Sequence, residues 1–419
     1  MDHFNYRDDE LFAEDVPMAR IAEHVGTPVY VYSRATLERH ARVFRDAVTD
    51  CGQSLIAFAV KANPNIAVLK TLALQGFGAD VVSGGELERA LQAGVKAEKI
   101  VFSGVGKTEG EMRQGIEREI GQFNIESLEE GRELAGVARA SGRQTNAALR
   151  VNPDIDAGTH AKISTGKADS KFGVSFHRAR EIYGELSGLD GLHMRGLAVH
   201  IGSQLASLAP LEAAFKRLGV LLRDLRAQGF TITHMDLGGG LGVPYRAGEE
   251  LPSPAQYGAM VARVTQDWDV KLIFEPGRVI AGNAGVLLTR VIRVKKGGGD
   301  TPFIVVDAAM NDLARPALYG AWHDFEPVLK TAERQVAHVV GPICETGDTF
   351  ATDRKCAVMR TGDLAIFRTA GAYGATMASS YNSRGFVAEV LVDGDRFAVV
   401  ADRISPAAIM DAEKVPSWL

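Results

Sequence analysis

The chain alternates short β-rich runs with helical patterns from residue 54 to residue 277. Eight such runs, separated mainly by helices, match the period of a TIM-like (β/α)8 barrel. A doubly wound open sheet fits the same alternation and is the alternative. The predicted strands are Ser54–Ala62, Gly78–Ser83, Lys99–Gly104, Gln122–Ser127, Asn146–Asn152, His193–Ile201, His234–Gly240 and Lys271–Gly277. The predicted barrel core is Leu55, Val81, Val82, Ile100, Leu149, Leu197, Leu237 and Ile273.

The pattern changes after about residue 280, where β-rich runs follow one another with few helices between them. Asp393-Gly394, placed between two apolar runs, is typical of a hairpin turn. This half is therefore predicted to be an antiparallel β-barrel or sandwich domain. Its predicted strands are Gly285–Lys295, Pro302–Ala308, Gln335–Ile343, Asp363–Ala370 and Val387–Ala401.

A length of 419 residues accommodates two or three domains. We predict a barrel domain over 35–280 and a β domain over 281–419. The N-terminal segment, 1–34, has a strand pattern at Thr27–Ser33 after an amphipathic stretch near Met18–Val25. We expect this segment to pack with the β domain through that strand.

Composition excludes several classes of function. A net charge of −5, with no basic block, argues against nucleic acid or an anionic membrane as a partner. Cys51, Cys344 and Cys356 are too few and too unevenly spaced for a disulfide framework or a zinc site, which favours a reducing cytoplasm. The N-terminus lacks the features of a signal peptide, and no apolar run is long enough to span a bilayer.

Lys61 ends the apolar run that begins at Ala57, and Asn63-Pro64 then breaks the pattern. Burial disfavours a charged ammonium, so a lysine at the end of a buried strand is costly. A lysine whose pKa is lowered in this way can form a Schiff base with a carbonyl substrate or with pyridoxal phosphate (PLP). On this stretch alone, the alternative is a lysine that extends from a strand end into solvent.

In a (β/α)8 barrel the site lies at the C-terminal ends of the strands. Three glycines directly after an apolar strand let backbone N–H groups approach a phosphate, although a plain tight turn is the alternative. Together with a reactive lysine, the glycines predict a phosphorylated aldehyde as ligand. The candidate residues at these ends are Lys61, Asp80, Arg150, His200, Ser203, Gly238, Gly239, Gly240, Glu275, Gly277 and Arg278.

Ordered motifs extend over nearly the whole chain. They are Phe58-Ala-Val-Lys-Ala-Asn63, His200-Ile-Gly-Ser203, Asp236-Leu-Gly-Gly-Gly-Leu-Gly242, Glu275-Pro-Gly-Arg278, Ala314-Arg-Pro-Ala-Leu-Tyr319, Cys344-Glu-Thr-Gly-Asp348 and Gly371-Ala-Tyr-Gly374 with Tyr381-Asn382. In these motifs the chain resembles the alanine-racemase-fold PLP enzymes and, within them, the diaminopimelate decarboxylases. One departure is Thr346, where many members of that family have serine.

The resemblance implies PLP as the cofactor. Lys61 would hold PLP covalently, and His200 would stack on its pyridine ring, for which the alternative is a core histidine. Glu275 would keep the ring nitrogen protonated and make the ring a strong electron sink, which favours decarboxylation over racemisation. Ser203, Gly238, Gly239, Gly240, Gly277 and Tyr373 would hold the phosphate. Asp80 and Arg278 complete the implied cofactor-binding set.

Substrate choice is implied by a second set of residues. Arg278 and Arg315 suit bidentate capture of carboxylates, although a surface arginine before a proline is the alternative for Arg315. Arginines favour a substrate with a distal carboxylate, such as meso-2,6-diaminopimelate, over ornithine or arginine. Glu345 would pair with the distal ammonium, and Tyr319 and Tyr373 would complete the substrate site.

In the resembling enzymes the loop that contains Cys344 reaches into the barrel of a second subunit, where the cysteine protonates the carbanion after CO2 leaves. The chain is therefore expected to form a homodimer with shared active sites. The implied reaction converts meso-2,6-diaminopimelate to L-lysine and CO2, the last step of lysine biosynthesis. The alternatives are a decarboxylase of the ornithine, arginine or carboxynorspermidine type, a non-catalytic PLP-binding protein, and a racemase.

Overall fold

The computed structural model describes residues 2–156 and 170–419, which form two compact units. The unit of residues 38–243 and 250–280 is called the barrel unit below. The unit formed by the N-terminal residues up to Leu37, by 244–249 and by 281–419 is called the sheet unit. No helix in the described ranges is both long and apolar enough to cross a membrane.

The N-terminal segment forms a three-stranded antiparallel sheet followed by a helix and a longer strand. The elements are β1 (Phe4–Arg7), β2 (Glu10–Ala13), β3 (Val16–Pro17), α1 (Met18–Val25) and β4 (Val29–Ser33). Helix α1 buries Met18, Ile21 and Ala22, which share one face at helical spacing. The sequence predicted α1 and β4. It did not predict β1 to β3, since strands of two to four residues show too little alternation.

Eight parallel strands of the barrel unit close on themselves in the order β5-β6-β7-β8-β9-β11-β12-β13, and β13 pairs back with β5. This closure confirms the predicted (β/α)8 barrel and excludes the open sheet. The strands are β5 (Ser54–Ala59), β6 (Gly78–Val81), β7 (Ile100–Phe102), β8 (Gln122–Ile125), β9 (Thr145–Asn152), β10 (Val174–Ser175), β11 (Leu192–Ala198), β12 (His234–Asp236) and β13 (Lys271–Phe274). The short β10 pairs only with β9, outside the ring.

Helices connect most of these strands, and several begin at a side chain that accepts a hydrogen bond from a backbone N–H group. Thr108 and Ser253 form capping boxes with Glu111 and Gln256. The helices are α2 (Arg34–Ala47), α3 (Ile66–Leu74), α4 (Gly84–Gln92), α5 (Glu109–Glu117), α6 (Leu128–Ala140), α7 (Ala179–Ser187), α8 (Ala209–Ala227), α9 (Pro254–Thr265) and α10 (Arg278–Ala281).

The apolar centre of the barrel contains Leu55, Ala57, Val101 and Ile273, all buried. The prediction that Val82 belongs to the barrel core is wrong. Val82 is 38% exposed, because it follows the end of β6. The stretch 154–171, which is rich in polar and small residues, lies mostly outside the described residues.

The sheet unit is built on a nine-stranded sheet in which β4 from the N-terminus lies between β14 and β20. Most pairings are antiparallel, as predicted, whereas β4 with β20 and β15 with β17 are parallel. The remaining elements are β14 (Gly285–Lys296), β15 (Pro302–Val306), α11 (Arg315–Tyr319), β16 (Phe325–Pro327), β17 (Arg334–Val340), β18 (Thr349–Ala357), β19 (Leu364–Phe367), β20 (Ala388–Asp393), β21 (Arg396–Ala401) and α12 (Pro406–Met410).

The predicted hairpin at Asp393-Gly394 is confirmed, because β20 and β21 pair across it and Gly394 has φ +63°. Strand β18 was not predicted. Its charged residues Asp353, Arg354 and Lys355 interrupt the apolar pattern, although Arg354 is in fact buried.

Candidate active site

A cavity of about 370 Å³ lies at the C-terminal ends of the barrel strands. Every strand of the closed ring contributes to its wall, which places it where a (β/α)8 barrel holds its active site. The lining residues are Lys61, Val82, Ser103, Gly104, Val105, Gly106, Asn124, Arg150, Phe172, Ala198, Val199, His200, Asp236 and Glu275.

Lys61 lies in a short 3-10 turn, Val60–Ala62, directly after β5. Its Nζ atom donates a hydrogen bond to Oδ2 of Asp80 at 2.5 Å, and the Asp80 side chain is fully buried. The other carboxylate oxygen of Asp80, Oδ1, is buried without a hydrogen-bond partner among the described groups. The amine of Lys61 is thus held in the cavity by one carboxylate oxygen of Asp80.

Two buried carboxyl groups, Asp236 and Glu275, meet at the floor of the cavity. Asn124 donates from Nδ2 to Oδ2 of Asp236 at 2.9 Å, and Ser103 contacts Oε1 of Glu275 at 3.3 Å. Burial raises the pKa of Glu275 well above its usual range, and the nearby carboxylates of Asp236 and Asp80 raise it further. Burial and the two neighbouring carboxylates thus both favour the protonated form of Glu275.

His200 follows β11 and is neutral. Its Nδ1 atom accepts a hydrogen bond from the N–H group of Gly239 at 3.2 Å, so the ring proton is on Nε2. Burial lowers the pKa of His200 well below its usual range, and the charges of Arg150 and Lys61 lower it further. A neutral imidazole can stack on a cationic ring without charge repulsion.

The glycine run after β12 is required by packing. A Cβ atom on Gly239 would lie 2.3 Å from the carbonyl oxygen of Glu275, and Gly238 has φ +65°. The N–H group of Gly238 donates to Oδ1 of Asp236 at 2.9 Å, and that of Gly239 donates to His200. The N–H groups of these two glycines thus already have acceptors inside the protein.

Ser203 and Arg278 contact each other near the end of β13. Arg278 is 7% exposed and donates from Nη2 to Oγ of Ser203 at 3.1 Å. Gly277 precedes it, and a Cβ atom there would lie 3.0 Å from the Cβ atoms of Ala59 and Ala62. A guanidinium beside a hydroxyl group and close-packed backbone is a suitable environment for an anion.

Arg150 belongs to a buried ion-pair network that the sequence did not indicate. Its Nη1 atom donates to Oε1 of Glu126 at 2.7 Å, and its guanidinium lies 4.7 Å from the ring centre of Phe172. Glu126 also accepts hydrogen bonds from the N–H groups of Gly104 and Gly173. Glu126 therefore ties two loops to Arg150, whose charge acts on His200.

Five predicted site residues lie in the sheet unit, where Arg315 has the most defined setting. Arg315 is 6% exposed, stacks 4.4 Å from the ring centre of Tyr245 and donates to Nε2 of His323 at 2.9 Å. The predicted surface alternative for Arg315 is therefore wrong. Tyr319 is half-buried at the end of α11, and Tyr373 has φ +57°, a conformation that few residues other than glycine adopt.

Cys344 is exposed and lies between β17 and β18. Its N–H group donates to Oδ1 of Asn382 at 3.2 Å, and the next residue, Glu345, accepts a hydrogen bond from the hydroxyl of Tyr381 at 2.8 Å. Asp348 anchors this loop, because its carboxylate accepts from the N–H groups of Ile343 and Met310, both at 2.7 Å.

Sequence reasoning assigned no role to Ser103, Asn124 or Glu126. Each lies at or near the end of a barrel strand, as Lys61 does. The signal that could have found them is a polar residue at every second position of an otherwise apolar strand, as in Gln122-Phe-Asn-Ile125. Such residues face the barrel axis.

Glu86 gives the ligand-free protein a pH-dependent stability. Burial raises the pKa of Glu86 from 4.5 to about 7, although its carboxylate accepts from the N–H group of Val82 at 2.8 Å. The folded protein thus binds this proton more tightly than the unfolded chain. The stabilising contribution of Glu86 to the free energy of unfolding is therefore full below pH 4.5 and is lost as the pH rises through 7. We expect Glu86→Gln to exceed the wild type in free energy of unfolding by about 1–2 kcal/mol at pH 8 and to match it near pH 4.5.

Denaturant unfolding of both proteins between pH 4.5 and pH 8 measures this difference. Glu88→Gln is the matched control, since Glu88 lies exposed on the same helix, α4, and contacts Arg118 at 3.2 Å. A constant difference between Glu86→Gln and the wild type across this range contradicts the expectation.

The side chains at this end of the barrel fit PLP. In the cavity, a lysine amine can bind an aldehyde, and a buried carboxyl group with a raised pKa suits a pyridine nitrogen. The Ser203–Arg278 pair, which suits a phosphate, is not among the residues that line the cavity. Oδ1 of Asp80, buried and without a described partner, indicates that the polar groups of this site are not complete within the protein alone.

Comparison with known proteins gives a consistent result. The family model described as "Pyridoxal-dependent decarboxylase, pyridoxal binding domain" matches residues 34–282. The diaminopimelate decarboxylase of Zymomonas mobilis is 50% identical over 419 residues, which cover 99% of each chain. The crystal structure of diaminopimelate decarboxylase from M. jannaschii with L-lysine has a TM-score of 0.95 at 32% identity, covering 100% of this chain and 99% of that chain. The Helicobacter pylori enzyme with L-lysine has a TM-score of 0.90 at 36% identity, covering 94% and 98%.

The barrel holds a lysine and a buried carboxyl group in one cavity, and the family model matches more than half of the chain. The protein is therefore a PLP-dependent decarboxylase of the alanine-racemase fold, a class of carboxy-lyases that bind PLP. Within this class, the chain belongs to the diaminopimelate decarboxylase family.

Proposed function

We propose that this protein decarboxylates meso-2,6-diaminopimelate to L-lysine and CO2, the last step of lysine biosynthesis. The observation that carries the proposal is the cavity that holds the amine of Lys61 together with the buried carboxyl group of Glu275, whose pKa is raised. The substrate is supported by full-length relatives named diaminopimelate decarboxylase and by structures of such enzymes with L-lysine. We assign one function to each predicted domain: residues 35–280 bind the cofactor, and residues 281–419 contribute to substrate choice.

When PLP is bound, its ring accepts the electron pair that remains as the substrate carboxylate leaves as CO2. Lys61 would hold the cofactor through its aldehyde and give it up to the substrate amine, with Asp80 positioning Nζ. Glu275 would pair with the ring nitrogen and stabilise its protonated form. His200, neutral and held by Gly239, would stack on the ring.

The phosphate is held by Ser203 and Arg278 with the backbone of Gly240 and Gly277. Gly238 and Gly239, whose N–H groups have internal acceptors, act mainly by letting the chain pass close to His200 and Glu275. Tyr373 adds its hydroxyl group to the same anion.

Arg315, with Arg278, Tyr319 and Tyr373, binds the substrate carboxylates, and Glu345 pairs with the distal ammonium. Tyr245 and His323 fix the guanidinium of Arg315 on two sides. A fixed planar donor selects a carboxylate over the compact cation at the end of ornithine.

Replacing Arg315 with methionine should raise the KM for diaminopimelate by about 10- to 100-fold, because one charge-assisted hydrogen-bonded pair is lost. The kcat should change less, since the carboxylate is bound in the ground state and in the transition state alike. Steady-state kinetics measure both. Arg354→Met is the matched control, because Arg354 is buried in the same unit and stacks on Trp322. An unchanged KM in Arg315→Met removes Arg315 from the substrate site.

Cys344 supplies the proton that replaces CO2, and it acts in the barrel of a second subunit. The support is the exposure of Cys344 at the end of an anchored loop, where its thiol is accessible to a partner. The protein therefore works as a homodimer with shared active sites.

We also place the protein in the cytoplasm. Its three cysteines, Cys51, Cys344 and Cys356, are all free thiols. A thiol that donates a proton in catalysis must stay reduced, and the cytoplasm keeps thiols in that state.

Release of CO2 by the purified, PLP-loaded protein tests the function, with meso-diaminopimelate, L-ornithine, L-arginine and L-lysine offered separately. We expect release from diaminopimelate alone, with L-lysine as the product. Release from ornithine or arginine would keep the roles of Lys61 and Glu275 and overturn those of Arg278 and Arg315. No release from any substrate would overturn the proposed activity.

A further inference from the structure

A line of polar side chains crosses the interior of the barrel beneath the cavity. Arg195, on β11, donates from Nε to Oε1 of Gln122 at 3.2 Å. Gln122 is fully buried and donates from Nε2 to Oδ1 of Asn124 at 2.9 Å. Asn124 is 2% exposed, and its Nδ2 atom reaches Asp236 at 2.9 Å, Ser103 at 3.1 Å and Glu275 at 3.4 Å.

The direction of every bond in this line follows from its first member. A guanidinium can only donate, so the oxygen of the Gln122 amide must face Arg195. The amino group of Gln122 then faces Asn124, whose oxygen must accept it. The amino group of Asn124 is left to face the carboxyl groups, so only one orientation of both amides satisfies all the bonds.

At the upper end of the line, the amino group of Asn124 brings two carboxyl groups together, since its Nδ2 atom lies 2.9 Å from Oδ2 of Asp236 and 3.4 Å from Oε1 of Glu275. Each of these two carboxyl groups acts on the pKa of the other. Two carboxyl groups can share a hydrogen bond only if one of them keeps a proton. Asp236 receives the shorter donors, at 2.9 Å from Asn124 and 2.9 Å from the N–H group of Gly238, whereas Glu275 receives donors at 3.3 Å from Ser103 and 3.4 Å from Asn124. These donors stabilise the ionised form of Asp236 more than that of Glu275, because an N–H group bonds a carboxylate more strongly than a carboxylic acid. The shared proton is thereby left on Glu275.

We propose that Asn124 is a positioning residue that assigns this proton to Glu275, and that Gln122 and Arg195 fix the orientation in which Asn124 does so. With the cofactor bound, Glu275 would supply this proton to the ring nitrogen. One O–H bond would break, one N–H bond would form, and Glu275 would become the carboxylate that pairs with the cationic ring. The inference rests on the proposed position of the ring nitrogen at Glu275.

The other charged groups that act on Glu275 are Asp236, Asp80 and Lys61. The two aspartates favour the protonated form of Glu275, and Lys61 favours the ionised form. Loss of the hydrogen bond from Asn124 raises the proton affinity of Asp236, which then competes with Glu275 for the proton. The ring nitrogen of the bound cofactor should then lose its proton at a lower pH than in the wild type.

The measurement is a pH titration of the 15N chemical shift of the ring nitrogen in holoenzyme loaded with ring-labelled PLP. For Asn124→Leu, which keeps the branching of the side chain but removes its hydrogen-bonding atoms, we expect the midpoint to fall by about one pH unit, a tenfold loss of proton affinity. For Gln122→Met, which adds no charge and leaves Asn124 in place, we expect a smaller fall in the same direction. Both variants should lower kcat without raising the KM for diaminopimelate.

Asn146→Leu is the matched control. Asn146 lies on the adjacent strand β9 and bonds Gly121 and His193 rather than the carboxyl groups. Its midpoint should equal that of the wild type, and thermal unfolding shows whether each variant is folded.

A wild-type midpoint in both Asn124→Leu and Gln122→Met overturns the proposal. A fall in Asn124→Leu without one in Gln122→Met overturns the role of Gln122 and Arg195. The titration does not depend on the substrate, so failure of the proposed reaction would appear separately as the absence of CO2 release from diaminopimelate.

Discussion

Replacing Lys61 with alanine is expected to abolish turnover and, with it, the absorbance of covalently bound PLP. The loss in kcat should be roughly 10³-fold or more, because the residue that binds and releases the cofactor aldehyde is removed. Absorbance spectra after gel filtration and CO2 release from diaminopimelate measure the two effects on one sample. Retention of both would remove Lys61 from the mechanism.

Lys61→Arg separates nucleophilicity from charge. Asp80 accepts a hydrogen bond from Lys61 at 2.5 Å, so the alanine variant also leaves a buried carboxylate without its cation. Arginine restores a positive charge but stays protonated and cannot bind an aldehyde. We expect Lys61→Arg to be inactive and to lack the absorbance, yet to be closer than Lys61→Ala to the wild type in free energy of unfolding.

Replacing Cys344 with alanine should lower kcat by about 10²- to 10⁴-fold, the range of a lost general acid. PLP binding should be unchanged, because Cys344 is not among the residues proposed to hold the cofactor. Steady-state kinetics and PLP titration measure the two properties. Wild-type turnover would show that another group protonates the carbanion. Cys356→Ala is the control, since Cys356 is a buried thiol of the same unit.

Mixing the two inactive variants tests whether sites are shared. Lys61→Ala and Cys344→Ala, unfolded and refolded together in equal amounts, give mixed dimers in which one site has both residues intact. Activity should return to about one quarter of the wild-type value, since half of the dimers are mixed and each has one good site. No recovery would mean that each subunit uses its own Cys344.

The sequence predicted the barrel well because its elements are long and periodic. Each of the eight predicted runs overlaps a strand of the ring, and the hairpin at Asp393-Gly394 was predicted from those two residues. Strand β18 was missed because Arg354 is buried against Trp322 rather than exposed. Contacts made by residues distant in sequence decide such cases, and local pattern does not contain them.

Site residues were predictable from the sequence where a reactive side chain directly follows the end of a strand. Lys61, His200 and Glu275 are polar residues after apolar runs, and the structure brings them to one cavity. Their protonation states were beyond the sequence, because burial and the bond from Gly239 make His200 neutral. The residues that orient them, such as Asn124, lie within strands and were missed.

Strand β4 comes early in the chain but lies in the interior of a sheet whose other strands all begin at Gly285 or later. Its side chains are all buried, and the hydroxyl of Tyr32 donates to Glu389, 357 residues further along. During synthesis β4 must wait, unpaired, until β14, which begins at Gly285, has been made, and its other neighbour, β20, comes only near the end of the chain. Such pairing between distant segments is a slow and exposed route to a sheet. Residues 281–419 expressed alone would lack this interior strand, so we do not expect the last third of the chain to fold as an autonomous domain.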